Sequence, residues 1–487
     1  MNRIVINPIT RLEGHGKIAI FLDQEGEVAN VYLQIPELRG FEKFCEGRPA
    51  EDMPQILQRI CGVCPEAHHL ASTKALDNLF KVEPTSTARK IRELLYSAFF
   101  VTDHATHFYI LAGPDFIMGP ESPPAERNIL GVIGKLGVEL GKKVIQTRQQ
   151  NHWVIQTIGG RGIHPVFGLP GGVSKAVSDE DRAKIEEIAT QAVDFARLSL
   201  KVFDDLVLKN KEYLDMVLSD TYTHRTYYMG LVDEKNRVNF YEGKVRIVDP
   251  QGKEFAKYAP GEYLEHLSER VEPWTYLKFP YLKKVGWNGF TDGEKSGIYR
   301  ATPLSRLNVA DGMATPLAHE EYEKMYATLG GKPVHHTLAT HWARLIEMLY
   351  AAERMLELSR DPEITGPNIR NIPTEVPAEG VGIVEAPRGT LTHHYVTDEK
   401  GLMKKCNLIV GTTNNYAAIS MTVKKVAQGI IRKGTEITEG LLNRIELAWR
   451  AYDPCMGCAT HTLPGQLPIE IAVYDADGTL IDVAKRS

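Results

Sequence analysis

The chain has 487 residues, 43% of them apolar, and a formal net charge of −5. Near-balanced charge, with a pI near 6.4, excludes the basic face of a nucleic-acid-binding protein, and no run of about eighteen apolar residues is present to span a membrane. The six cysteines form no disulfide framework and Met1-Asn2-Arg3-Ile4-Val5 is no secretory leader, which together predict a cytoplasmic protein.

Residues Ile4 to Pro8, Gly16 to Leu22 and Val28 to Gln34, with a turn at Gln24-Glu25-Gly26, predict a short antiparallel hairpin. Glu13 lies between the first two segments, and a lone glutamate beside a strand is normally solvated. Glu42, in Arg39-Gly40-Phe41-Glu42, reads on spacing alone as half of a surface salt bridge. Cys45 has no partner at ligand spacing and reads as a small packing residue. Next comes Arg59-Ile60-Cys61-Gly62-Val63-Cys64-Pro65-Glu66-Ala67-His68-His69, a Cys-x-x-Cys pair at the start of a helix with Leu70, Leu76, Leu79 and Phe80 on its apolar face. The positive end of that helix favours ionised thiols. His68, one turn beyond Cys64, can donate a hydrogen bond to its sulfur.

Pro84 and Thr85 open a long helix that Gly113-Pro114 is expected to end. His104 and His107 lie on it three residues apart, but no carboxylate or cysteine completes a ligand set, so they read as core histidines. Residues 124–152 read as one helix with Gly131, Gly134, Gly137 and Gly141 down one side. Each glycine costs about 1 kcal/mol against alanine, which close helix–helix approach would offset. The stretch Gly-Val-Glu-Leu-Gly-Lys-Lys within it lacks the Ser/Thr and the preceding strand of a phosphate loop. A helix at about 178–206 follows a Gly/Pro-rich loop, and residues 220–297 change to short strands, turns and tyrosines, a mixed excursion from the main body. Helices at about 315–329 and 336–360 precede a strand that enters a tight turn at Pro387-Arg388-Gly389. Another strand leads through Leu408 to Gly411-Thr412, and Cys406 beside it reads as packing. A last helix, with Leu441, Leu442, Ile445, Ala448 and Trp449 on one face, delivers Asp453-Pro454-Cys455-Met456-Gly457-Cys458-Ala459-Thr460-His461. Residues 462–487 carry strand–turn–strand signals around Asp475-Ala476-Asp477-Gly478.

Four of the six cysteines thus sit in two Cys-x-x-Cys pairs at opposite ends of the chain. Spacing of i and i+3 lets each pair present two thiolates to one ion, and two pairs make a four-sulfur site. A zinc ribbon keeps its pairs roughly 15–20 residues apart because the metal replaces a missing core. A chain this long has ample core, so a functional metal is favoured over a zinc staple or a redox disulfide.

The segments Arg59-x-Cys61-Gly62-x-Cys64-x-x-x-His68 and Asp453-Pro454-Cys455-x-x-Cys458-x-x-His461 resemble, without a gap, the two motifs of the large, catalytic subunit of [NiFe]-hydrogenases. Arg11-Leu12-Glu13-Gly14-His15, Arg39-Gly40-Phe41-Glu42, Glu385-Ala386-Pro387-Arg388-Gly389 and the stretch from Leu408 to Thr412 resemble further segments of the same family, with Gly411 where the family has proline. The resemblance runs from Ile4 to His461 apart from about 220–297. It implies an α+β, mainly α fold: one large domain over residues 1–461, with a central bundle of long helices and peripheral short β-sheets. A tail, 462–487, would be removed by a maturation protease.

What the family binds can then be placed residue by residue. The resemblance implies nickel with Cys61 and Cys455 as terminal ligands, and Cys64 and Cys458 bridging it to an iron that carries CO and two cyanides. Glu42, the main-chain carbonyl of Leu408 and His461 would hold magnesium or a further iron. Arg388 and Thr412 would contact the cyanides, while Asp103 and Asp453 shape a dry pocket with Arg388. Dihydrogen is then cleaved heterolytically, Cys455 taking the proton and Glu13 passing it outward. An arginine almost never deprotonates, which disfavours Arg388 as the base.

No cysteines are left for an iron–sulfur cluster, so an iron–sulfur small subunit must carry the electrons away. Gly-His-Gly near the front, Pro65-x-Ala67-His68-His69 and Cys458-Ala459-Thr460-His461 resemble the soluble cytoplasmic group. The nearest likeness is to the viologen-reducing, deazaflavin-non-reducing type, which works with heterodisulfide reductase and a further electron-transfer subunit. NAD(P)-linked and sulfur-reducing enzymes are alternatives. Two rivals differ in kind: a complex I quinone-module subunit lacks the four cysteines, and a non-enzymatic zinc-stapled assembly protein needs them but not Glu13, Glu42 and Arg388.

Overall fold

The computed structural model describes residues 3–375 and 378–458, and the backbone of two strands, Ile469–Tyr474 and Leu480–Arg486. Alternation near the front produces β1 (Arg3–Ile6), β2 (Lys17–Leu22) and β3 (Val28–Gln34), which pair antiparallel in that order. The expected hairpin is therefore a three-stranded meander. A short helix, α1 (Phe41–Cys45), follows, and then α2 (Pro65–Leu79), with its proline in the first turn where no backbone N–H is required.

Long helices make the centre. α3 (Ser86–Thr106) starts at Thr85, whose hydroxyl accepts the Ala88 N–H at 3.1 Å. It packs against α5 (Val138–Gly159) and against α9 (Thr340–Arg360), which also lies along α6 (Asp179–Phe203). Fully buried Trp342, Leu345, Ile346, Met348 and Leu349 on α9 show why it sits innermost. α7 (Pro303–Val309) and α8 (Pro316–Thr328) pack on the same helix.

Two helix expectations need correction. Gly113-Pro114 does not end the long helix: a π-helical stretch, His107–Ala112, leads into a further turn, Gly113–Ile117, with Pro114 near its start. Residues 124–152 are not one helix either. They form α4 (Ile129–Leu136) and the start of α5, broken at Gly137 with φ 94°, a conformation side-chain-bearing residues rarely adopt. A Cβ at Gly141 would lie 3.1 Å from Ile133 of the preceding helix, whereas one at Gly134 would meet nothing within 4 Å. Close approach thus accounts for Gly141 and leaves Gly134 unexplained.

The excursion becomes a four-stranded sheet in the order β9 (Tyr299–Arg300), β4 (Tyr227–Val232), β5 (Lys244–Val248), β6 (Glu254–Tyr258), plus an antiparallel pair, β7 (Leu267–Val271) and β8 (Lys278–Leu282). Its apolar face, including Tyr227, Met229, Ile247 and Tyr258, shares a small core with Val381, Ile383 and Ile409. Those three belong to the sheet that positions the site: β10 (Glu379–Ala386), β11 (Gly389–Thr397) and β12 (Met403–Ile409), antiparallel in chain order, with α2 across β10 and β11. α10 (Tyr416–Ile430) and α11 (Glu439–Arg450) complete the body. The segments Ile469–Tyr474 and Leu480–Arg486 pair with each other, as the sequence signals require. Among the described residues, no helix is long and apolar enough to cross a membrane.

Candidate active site: a buried four-cysteine centre

Each cysteine pair occupies a turn beside a helix end. Cys61 closes a short 3₁₀ turn with extended φ and ψ, and Cys64 is the residue preceding α2. The N–H groups of Val63 and Cys64 both donate to the Cys61 sulfur at 3.2 Å. The pair is therefore held by an N–H-lined turn at the helix entrance and not by a helical turn. The second pair follows α11 through Asp453, whose φ of 51° is tolerated best by Asn and Asp outside glycine. Cys61 and Cys455 sulfurs lie 3.3 Å apart, Cys64 and Cys458 3.4 Å, and Cys455 and Cys458 2.8 Å. All four are buried, and their sulfurs lie within 4.8 Å of one another.

Four thiols at this separation cannot all ionise by themselves. Burial and contact with the other sulfurs push Cys455 and Cys458 well up, while Cys61, despite its burial, is held low by hydrogen bonds from the other three. One thiolate among thiols is the arrangement that a cation would convert to a four-thiolate set. Soft sulfur donors converging in a buried space fit nickel and iron.

The two ends of the chain meet through backbone as well as sulfur. Glu13 and Cys455 form an isolated parallel bridge, with the Met456 N–H donating to the Glu13 carbonyl at 3.0 Å. The Glu13 carboxylate takes the Cys455 S–H at 3.0 Å and the Gly457 N–H at 2.7 Å. A Cβ at residue 457 would lie 2.4 Å from that carboxylate, so glycine permits the approach. Burial, and then the neighbouring Cys61, raise the Glu13 pKa. Arg39 staples both cysteine turns, donating to the Ile60 carbonyl and to that of Gly457 at 3.0 Å.

Above the quartet sits Arg388. Its Nη1 donates to Asp103 at 3.0 Å and its Nη2 lies 2.9 Å from Asp453, all three side chains being buried. Burial opposes its charge, but the two carboxylates outweigh it and keep the guanidinium firmly protonated. Arg388 Nε and Asp103 Oδ1 have no hydrogen-bond partner among the described residues. Thr412 lies close by, its hydroxyl accepting the Cys455 N–H at 3.1 Å. Buried polar atoms left open beside the sulfurs are what small polar ligands on a bound metal would satisfy.

Glu42 is buried and not a surface charge. Its carboxylate accepts the Leu408 N–H at 2.8 Å and lies 3.5 Å from Lys278 Nζ. Leu408 is on β12, an edge strand, and a strand residue directs its N–H and C=O to the same edge, so the carbonyl leaves on the Glu42 side. Burial pushes Glu42 up to about 7. His461, the third expected ligand, lies outside the described residues. His104 and His107 are core residues as expected, bonded to Glu347 at 3.1 Å and to the Arg450 carbonyl at 2.9 Å. Cys45 and Cys406 are neighbours, both buried; burial and Cys45 together push the Cys406 thiol up.

Sequence reasoning passed over four residues near the site. Glu66, fully buried one residue into α2, is pushed up to about 8 by burial. Lys278 reaches Glu42 from β8 with no signal in its own segment. His393 and Tyr395 stand behind His68, and their two-residue spacing on a strand was the available clue.

The model of the family described as Nickel-dependent hydrogenase matches residues 39–121 and 142–461, and a HoxL-like model matches residues 3–38. The chain therefore belongs to the nickel-dependent hydrogenase family, as an oxidoreductase of the large-subunit type, which removes both the zinc-staple and the complex I rivals. Over 99% of each chain it is 50% identical to the F420-non-reducing hydrogenase iron-sulfur subunit of Archaeoglobus profundus. It is 40% identical, again over 99% of each, to the NAD-reducing hydrogenase HoxS subunit beta of Cupriavidus necator. The structure of an NAD+-reducing [NiFe]-hydrogenase in the H2-reduced state matches with a TM-score of 0.89 and 37% identity, covering 95% of this chain and 100% of that one. The Ni-Fe-Se hydrogenase of D. vulgaris Hildenborough shares the fold, with a TM-score of 0.75, 23% identity and coverage of 94% and 100%.

Proposed function

We propose that this chain is the catalytic subunit of an F420-non-reducing [NiFe]-hydrogenase that reversibly cleaves dihydrogen at a nickel–iron centre carrying CO and two cyanides. The observation that carries this is the contact of Cys455 with Glu13 at 3.0 Å inside a buried sulfur quartet roofed by Arg388. When bound, the nickel–iron group supplies the heterolysis itself. Cys61 and Cys455 are its terminal nickel ligands, and Cys64 and Cys458 bridge to iron. Cys455 receives the proton, and Glu13 takes it from the sulfur along the existing hydrogen bond. Arg388, held charged by Asp103 and Asp453, keeps its open Nε toward the pocket, and Thr412 offers its hydroxyl to the second cyanide.

A hard cation, magnesium or iron, is assigned to Glu42, the Leu408 carbonyl and His461. The quartet and the Cys45–Cys406 neighbours use all six cysteines, so a cysteine-ligated cluster belongs to an iron–sulfur partner subunit. Delivery through a further subunit to heterodisulfide reductase, in the cytoplasm, follows from the likeness to the F420-non-reducing relatives. The likeness to the NAD-reducing subunit favours an NAD(P)-linked acceptor as the second reading. Residues 1–461 are read as one domain. The tail, 462–487, is assigned to removal by a maturation protease, since its two strands pair with each other in a separate two-stranded sheet.

Infrared absorption in the metal-bound CO and cyanide region, with nickel and iron analysis of the isolated complex, tests the core of this. One CO and two cyanide bands with nickel present are expected. Zinc and no bands, in protein whose intact mass shows the tail removed, would overturn it. Viologen, F420 and NAD offered as acceptors under H2 then separate the subtypes.

A further inference from the structure

A chain of buried polar groups starts beside the quartet and plays no part in the proton route through Glu13. His68 Nδ1 lies 3.1 Å from His393 Nε2, His393 Nδ1 lies 2.7 Å from the Tyr395 hydroxyl, and that hydroxyl donates to Ser72 Oγ at 2.8 Å. His68 and Ser72 are one turn apart on α2, and His393 and Tyr395 share one face of β11, so a helix face and a strand face close on each other through these four side chains. All four are buried.

The donors and acceptors in this chain run one way. Tyr395 has a single O–H and gives it to Ser72, so its oxygen accepts from His393 Nδ1–H. A neutral imidazole carries one N–H, so His393 Nε2 is an acceptor and takes the proton of His68 Nδ1–H. His68 is neutral, burial having lowered its pKa to about 4, and its Nε2 is then left with a lone pair. That nitrogen is buried without a hydrogen-bond partner among the described residues, and Cys61 is the charge that acts most strongly on the ring.

We propose that Ser72, Tyr395 and His393 are positioning residues that fix His68 as its Nδ1–H tautomer, presenting a lone pair and not an N–H to the sulfurs of the metal-loaded centre. His68 is then an acceptor for a cysteine S–H, the reverse of the donor role expected from its place one turn after Cys64. This rests on the nickel–iron reading given above.

The test uses the metal-loaded complex and reads the infrared bands. Tyr395→Phe removes the hydroxyl that sets the direction of the chain. His393 can then carry its proton on Nε2, donate to His68 Nδ1 and turn His68 into an Nε2–H donor. An N–H···S bond withdraws charge from a ligand sulfur, so the CO and cyanide bands are expected to move to higher wavenumber at unchanged nickel and iron content. Ser72→Ala, a smaller change, is expected to move them in the same direction. Bands at wild-type positions in both variants, or a move to lower wavenumber, would overturn the proposal while leaving the nickel–iron centre intact. Loss of metal in both variants would make these residues a folding element and overturn it equally. Wild-type complex without any such bands would overturn the nickel–iron reading and this inference with it.

Discussion

Arg306 and Arg388 are both buried between two carboxylates, yet they do opposite things. Arg306 uses all five donors: Nε and Nη2 on Glu347 at 2.6 and 2.7 Å, Nη1 on Glu385 and the Ala386 carbonyl at 2.9 Å each, and Nη2 on the Pro387 carbonyl at 3.0 Å. Glu385 is further tied to the Leu231 N–H at 2.7 Å and the Thr390 hydroxyl at 2.9 Å. This closed cluster clamps the turn that carries Arg388. Arg388 itself keeps Nε open, and its partner Asp103 keeps an oxygen open. Buried polar groups cost stability unless paired, so a saturated cluster marks scaffold and an unsaturated one marks the place where a ligand is to complete it. Neighbouring His69 and His68 repeat the contrast: His69 bonds the Pro54 carbonyl at 3.1 Å and the Gly168 N–H at 2.9 Å, whereas His68 leaves Nε2 open.

The contrast predicts different losses. The largest is expected for Arg306→Met, which strands two buried carboxylates and should cost about 3–5 kcal/mol in denaturant unfolding; a loss under about 1 kcal/mol would break the scaffold assignment. Arg388→Lys keeps the charge between Asp103 and Asp453 but not the fixed fork. Hydrogen uptake is expected to fall about 100- to 1000-fold, as for loss of one preorganised donor, with the melting midpoint nearly unchanged. Equal damage to stability and activity would erase the distinction. Glu13→Gln should cut turnover by roughly 100-fold with metal content unchanged, since the amide keeps the shape but cannot carry the proton.

The pH prediction follows from His68 and His69. Burial lowers both to about 4, against an ordinary 6.5, so each is neutral when folded and takes up a proton on unfolding below 6.5. Stability is then fully present above that pH and is lost as pH falls toward 4, by roughly 3 kcal/mol for each ring. Unfolding midpoints measured across this window should flatten in His69→Gln. The smallest effect is expected for Lys211→Ala, an exposed pair with Asp215 on a surface helix, which should leave the melting midpoint where it was.

Much of the site was legible because spacing encodes it. Cysteines three apart with a proline beside them prescribe a turn at a helix end, and Pro387-Arg388-Gly389 prescribes the tight corner that lifts Arg388 off its sheet. The long central helices follow from apolar periodicity. The misplacements are equally physical. Gly113-Pro114 was expected to stop a helix because local rules cannot see a π-helical stretch, and Gly137 was absorbed into one helix because its positive φ has no marker beyond the glycine itself. Glu42 read as a surface charge because burial is decided by what packs over it.

Residue type and spacing alone therefore specified the four sulfur ligands, the family and the helical body, since each depends on contacts within a turn or a helix face. That Glu13 would meet Cys455, that Arg306 would lock the Arg388 turn, and that His68 would be backed by His393 and Tyr395 depended on packing. Their partners lie far away in the chain, and only the closed core sets which polar atoms are satisfied and which are left open.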